Sequence, residues 1–224
     1  MSVDFDFDWQ QRNCLETALG LHHEMELPIT LCRGERPIAA HWPYHTYSTT
    51  EIERGFEHYP DLNVGLVLGH RSGLMEVVTR KGDGKRSERE FWELVDDEFP
   101  LTPTFTSRSG YHRLFELDER LASLEIREVN YKSISIRLGS PGSGANCLLP
   151  PSITQGVQRE WLLHFDDCFG RFERLPYYAV DKVMAAMDDR RSEQPVAVPS
   201  HCQSGSCGIA AKEFTTSGLA ADAY

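Results

Sequence analysis

The sequence has no apolar run near the roughly 18–20 residues that a helix needs to cross a bilayer. Its first residues alternate apolar and acidic side chains, and they lack the basic segment and apolar stretch of a signal peptide. Positive charge is also short: 23 Lys and Arg against 34 Asp and Glu give a formal net charge of −11 over 224 residues. That balance excludes a protein that coats nucleic acid nonspecifically, because phosphate binding needs clustered Lys and Arg. It leaves room for one local basic groove. Cysteines in Cys-x-x-Cys spacing are absent. Cys14, Cys32, Cys147, Cys168, Cys202 and Cys207 lie scattered and read as reduced thiols in a cytoplasmic protein with no membrane partner.

What is present is the material of a globular domain. A hydrophobic share of 40% with 25% charged residues is enough to bury a core. The stretch around which the chain is organised runs over 63–79, where apolar runs at 64–68 and 74–79 flank a turn bounded by Gly69 and Gly73. Aliphatic runs on both sides of so short a connection predict a β-hairpin. The second run has few polar interruptions, as a strand covered on both faces would.

Ahead of this stretch, the apolar–acidic alternation over 3–9 predicts an arm or edge strand. The spacing of Leu15, Ala18, Leu19 and Leu21 predicts a helix over 10–25, and a short strand follows at 27–31. Ser48 followed by Glu51 predicts a capped helix start. Beyond the hairpin, Ser87 is placed to cap a helix over 88–99, with Phe91, Leu94, Val95 and Phe99 on one face. Runs at 104–107 and 111–115 predict a second hairpin, 118–127 a helix, and 132–137 a strand with Ile134 and Ile136 on one face. Strands are expected at 147–149 and 160–165, and a last helix over 176–187. The strands at 64–68, 74–79, 111–115 and 132–137 are expected in one sheet. The fold class is α+β: a mixed central β-sheet with flanking helices over 1–187, followed by a low-complexity tail or linker over 188–224.

A series of short motifs then follows in one line. Gly34, Arg36 and Pro37 precede Trp42. Asn63 and Gly65 precede Gly69, Ser72, Gly73 and Leu74. Thr106, Gly110, His112 and Phe115 come next, then Ile134, Ile136 and Arg137, and finally Pro150, Pro151 and Ser152 with Gly156 and Trp161. In this order they resemble the bifunctional primase-polymerase domain of the archaeo-eukaryotic primase superfamily, over roughly residues 15–165. The resemblance implies primer synthesis and DNA extension in plasmid, phage and mobile-element replication. It also implies two metal ions held by an Asp-x-Asp pair on the central strand and a third Asp on a later strand, with a histidine touching the nucleotide phosphates. Such transfer develops charge on the α-phosphate, and hard divalent cations held by carboxylate oxygens stabilise it.

This chain departs from the pattern at all three acids, whose places are taken by Val78, Arg80 and Ser135. Arg80 sets a cation about where a metal is expected, and like charges at ~4 Å repel by ~4 kcal/mol at an effective dielectric of ~20. The reading is a primase-polymerase-like domain that does not catalyse and holds no metal as cofactor. It keeps at most nucleotide or single-stranded DNA binding, with a replicative helicase or other replication protein as partner. His112, Arg108, Gly110 and Arg113 are the candidate phosphate contacts, with Arg71, Lys81, Lys85, Arg86 and Arg89 as a basic rim. The opposing reading of His112 is a core histidine hydrogen-bonded across the sheet. A second function is a protein-interaction or regulatory module on the same fold. A third is an active polymerase whose Mg²⁺ or Mn²⁺ site has moved to Glu76 and Asp83, with Glu116 or Asp118 as a further ligand. His201, Cys202 and Cys207 form a zinc-like fragment without a fourth ligand, which favours an unbound tail.

Overall fold

The computed structural model of the chain describes residues 7–83, 85–140 and 144–193. Helix α1 (Phe7–His23) begins ahead of its predicted start, so residues 7–9 of the arm expected over 3–9 lie in a helix, and 3–6 lie outside the described residues. Strands β1 (Ile29–Arg33) and β2 (Arg36–Pro37) form a tight hairpin. Helix α2 (Thr49–His58) opens on the predicted capping box: Ser48 Oγ accepts the Glu51 N–H, and the Glu51 carboxylate accepts the Ser48 N–H. Next come β3 (Leu62–Leu68), β4 (Leu74–Arg80) and α3 (Arg86–Leu94). Then follow β5 (Thr104–Thr106), β6 (Gly110–Glu116), α4 (Glu119–Ala122), β7 (Glu128–Tyr131) and β8 (Ile134–Arg137). The chain continues through β9 (Ala145–Leu148), β10 (Ile153–Thr154), β11 (Val157–Gln158), β12 (Glu160–Leu163) and α5 (Tyr177–Glu193). The last helix therefore outruns its predicted end at 187. The zinc-like fragment at His201, Cys202 and Cys207 lies outside the described residues.

The α+β class holds, but the strands divide between two larger sheets. A four-stranded sheet runs β2-β1-β3-β9 and a six-stranded sheet runs β12-β5-β6-β4-β8-β7, with β10 and β11 as a separate pair. Pairing within them is antiparallel. The predicted hairpin of β3 with β4 is a correction. β3 hydrogen-bonds to β1 and β9, and β4 to β6 and β8, so each strand has both edges taken before it meets the other. Only the bridge Gly69–Leu74 links them. Their connection is a crossing between sheets, and β3 does not join the sheet that holds the other three predicted strands.

Two cores flank the six-stranded sheet. Phe56, Leu66, Leu74, Phe105 and Leu114 belong to one, shared with the four-stranded sheet, α1 and α2. Met75, Val77, Phe91, Phe115, Ile134, Ile136 and Val180 belong to the other, under α3 and α5. Because alternate residues of a strand point to opposite faces, Glu76, Val78 and Arg80 face away from that second core.

Helix α3 corrects two expectations. Ser87 lies inside it, not at its cap: its Oγ donates to Arg80 O and accepts the Arg80 N–H, while Asp83 accepts the amides of Arg86 and Ser87. The helix also stops at Leu94, where Asp96 and Asp97 take positive φ, leaving Phe99 67% exposed and stacked on Trp92. The helix expected over 118–127 shrinks to α4, with Asp118 as its cap, and the chain then enters β7, a strand the sequence did not announce.

The motifs at Asn63 and Ser152 act as clamps. Asn63 Nδ2 donates to Gly34 O and Ile153 O, and its Oδ1 accepts the Ile153 N–H. Ser152 Oγ accepts the Val64 N–H and donates to Val64 O. Both side chains are buried. Removing one partner leaves buried groups unsatisfied at ~1–3 kcal/mol each, so Asn63→Ala is expected to cost at least ~2 kcal/mol in urea unfolding at unchanged slope. An effect below ~0.5 kcal/mol, the range of an ordinary surface substitution, would refute the clamp.

Candidate functional site

The candidate site is built from β4 outward. Register pairs Val78 with His112 on one side and with Ser135 on the other, so these residues form a row across neighbouring strands ~4.8 Å apart. Val78 and Ser135 are each 8% exposed. Arg80 ends the strand and is exposed, and its guanidinium has no ion-pair partner among the described residues. The structure therefore brings together the three positions that resemblance assigns to the metal-binding acids, beside the histidine. Gly110 faces Arg80 across the ladder because a Cβ there would meet Thr79 O at 1.7 Å. Its part is to let the two backbones approach.

A cleft of about 790 Å³ opens above this row, lined by Val78, Arg80, Ser135, Arg137 and Arg159 together with Arg108. Asp83, Glu35, Glu128, Ser107, Ser109, Thr154 and Gln155 complete its polar wall. A second cavity of about 430 Å³ shares Arg137, Arg159 and Ser109 and reaches His112. Arg108 Nη1 donates to Gln155 Oε1 at 2.9 Å. Arg159, 8% exposed, donates from Nη1 to Leu148 O at 3.1 Å, while its buried Nε has no hydrogen-bond partner among the described residues.

Beneath the row lies Glu76, fully buried. Its Oε1 is 2.7 Å from His112 Nδ1 and accepts from Cys147 Sγ at 2.8 Å, and its Oε2 accepts from Arg137 Nη1 at 3.1 Å. Burial alone would favour the neutral acid. His112, Arg137 and the Cys147 thiol outweigh it and hold the carboxyl down to about 2. An ionised Glu76 only accepts, so His112 Nδ1 carries the proton of that bond. His112 Nε2 lies 2.8 Å from Ser107 Oγ, and the ring stacks on Phe105 at 4.8 Å. Both ring nitrogens are therefore engaged inside the protein. This is the geometry of a core histidine bonded across the sheet, and a phosphate contact by His112 would first require Ser107 to release Nε2.

Other candidates separate from the cleft. Arg113 follows His112 on β6 and so points to the opposite face. There it pairs with Glu88, donates to Thr79 Oγ1 at 3.2 Å and lies 4.1 Å over Phe91, with burial lowering its pKa. Arg71 is tied to the Pro43 and His45 carbonyls. Arg86 and Arg89 pair with Glu90 and Glu93 on their own helix, so the basic rim does not form as expected. Lys81 stays close, donating to Thr106 Oγ1 at 2.8 Å. Glu116, paired with Arg174, sits opposite Leu74 at the far end of β4, and Asp118 caps α4. Neither joins Glu76 or Asp83.

The groups at the three acid positions are valine methyls, a guanidinium and a serine hydroxyl that donates to Glu128 Oε1 at 2.6 Å. Hard divalent ions call for carboxylate oxygens, and this set does not fit them. Among the described residues no group of three or more His, Cys, Asp or Glu is placed to hold a metal ion. Sequence reasoning missed Arg137 as a site residue, and also Arg159, Ser107 and Glu128. Arg137 and Arg159 carried a signal, being charged residues within or beside strand-like runs.

The Glu76 network makes acid stability a test. A carboxyl whose folded pKa is about 2, against an ordinary 4.5, stabilises the fold above pH 4.5 and loses that contribution as pH falls toward 2. Glu90, held by Ser133 and Arg86, is shifted the same way. Urea midpoints should therefore fall steeply between pH 4.5 and 2, and Glu76→Gln should flatten that slope and lower stability at pH 7. An unchanged slope in this variant would remove Glu76 as the acid-sensitive group.

Among the described residues no helix is long and apolar enough to cross a membrane. None of the curated proteins compared with the chain matches it. The family model described as bifunctional DNA primase/polymerase, N-terminal, matches residues 20–176, a span that contains every strand among the described residues, the cleft and the row from His112 to Ser135. The chain therefore belongs to the bifunctional DNA primase/polymerase family.

Proposed function

We infer that this chain is a primase-polymerase-type domain that binds the phosphates of a nucleotide or a nucleic-acid end and does not polymerise. The observation that carries the reading is the set of side chains in the cleft. Where the family resemblance expects carboxylates around metal ions, this chain offers Val78, Arg80 and Ser135, with Arg108, Arg137 and Arg159 on the same wall. Nucleotidyl transfer needs charge stabilisation on both the entering and leaving oxygens, and arginines alone hold phosphate without activating a hydroxyl. Guanidinium forks do match phosphate oxygens well. Such a domain would serve the DNA replication of a mobile element as a binding partner of a helicase or another replication protein.

The cations do not extend into a long basic track. Glu35, Asp83 and Glu128 alternate with the arginines, and the whole chain carries −11. This favours a compact phosphate-bearing ligand over a lengthy duplex. The same charge also supports a second reading, a regulatory module that has left nucleic acid for a protein partner.

Primer-extension assays with Mg²⁺ or Mn²⁺ should give no product, and a fluorescent nucleoside triphosphate should bind in the absence of divalent ions. Arg137→Ala with Arg159→Ala should weaken that binding at least ~10-fold, equivalent to ~1.4 kcal/mol. Extension by the unmodified chain would overturn the non-polymerising reading. Absence of binding would shift the case to the protein-partner reading.

A further inference from the structure

The cleft holds cations whose hydrogen-bonding capacity is unspent. Arg159 is the clearest: 8% exposed, anchored through Nη1 to Leu148 O, yet with a buried Nε that finds no acceptor among the described residues. A buried donor without a partner is costly, so the site lacks an acceptor at that point. Arg80 reaches the same cleft without an ion pair among the described residues. Arg137 is held in place by Glu76 from below.

The acids of the cleft are differently disposed. Asp83 accepts the amides of Arg86 and Ser87 at the start of α3. Glu128 accepts from Ser135 Oγ, and Glu35 lies exposed on the far wall. Glu76 is spent on His112, Arg137 and Cys147. Asp83 and Glu128 are thus partnered and the carboxylates dispersed, with Glu35 exposed, while the guanidinium at Arg80 has acceptors to gain.

We propose that the cleft takes phosphate groups in their metal-free form, and that divalent cations oppose binding instead of mediating it. This rests on the reading that the cleft binds a phosphate-bearing ligand. The physical reason is competition between cations for the same oxygens. A divalent ion bound to a phosphate chain cancels two of its charges and occupies the oxygens to which a guanidinium fork would donate. Brought into this cleft, the ion meets Arg80 at close range and finds no gathered carboxylates to replace its waters, which Mg²⁺ gives up reluctantly. The free phosphate chain meets the opposite situation, with permanently charged planar donors at Arg80, Arg108 and Arg137 on the cleft.

The test is titration of the chain with a fluorescent adenosine triphosphate analogue, and separately with inorganic tripolyphosphate. Each is measured in EDTA and in millimolar Mg²⁺, at ionic strength matched with KCl. The expected result is an apparent Kd at least ~10-fold weaker in Mg²⁺ for both ligands. Arg80→Ala should shrink that ratio and Arg80→Asp should shrink it further or reverse it, with circular dichroism confirming that each variant folds. Equal or tighter binding in Mg²⁺ overturns this inference while leaving phosphate binding in place. No binding in either condition overturns the function proposed above together with it.

Discussion

One buried carboxylate gathers side chains from both larger sheets of this domain. Glu76 leaves β4 of the six-stranded sheet and meets His112 on β6 and Arg137 on β8 of the same sheet. It also receives the thiol of Cys147 on β9, a strand of the other sheet. An ionised group fully removed from water is tolerable only when its oxygens are satisfied and its charge compensated, and each neighbour supplies part of that. The compensation in turn fixes the neighbours. His112 is set flat against Phe105 with both nitrogens engaged, and Arg137 is held at the cleft wall.

The floor of the cleft is therefore rigid for a reason separate from ligand binding. Its mouth is different. Arg80, Arg108 and Ser109 are exposed at the ends of β4 and in the β5–β6 connection. A preorganised base under adjustable cations suits capture of a compact anion, because the ordering cost falls on few side chains. On the rear of the same sheet, buried Arg113 and Thr79 form a second polar cluster with the partly buried Glu88. Strand alternation keeps it apart from the cleft although Arg113 is adjacent to His112 in sequence.

Local signals in the sequence translated well where the physics was local. The Ser48–Glu51 capping box and the hairpin around residues 107–110 depend on contacts within a few residues. The α2 start followed from its cap, and the β8 strand from its alternation. The strands β3 and β4 were legible as strands, but their partners were not, because pairing depends on which edges are filled by β1, β9, β6 and β8. Ser87 looked like a cap and became a brace on Arg80, a tertiary use that no local pattern encodes. At the site, the row of Val78, His112 and Ser135 could be anticipated through family resemblance. The roles of Glu76 and Arg159 could not, since each depends on contacts with distant strands.

The clamps at Asn63 and Ser152 carry a consequence for descent within the family. Both residues belong to the motifs by which the family is recognised, yet each binds backbone groups of the scaffold. Selection for a folded domain is enough to keep them, whatever becomes of the chemistry. The positions at Val78, Arg80 and Ser135 face a cleft and hold no such clamp. Scaffold and cleft thus rest on separate sets of residues, so side chains of the cleft can change without touching the clamps that hold the fold.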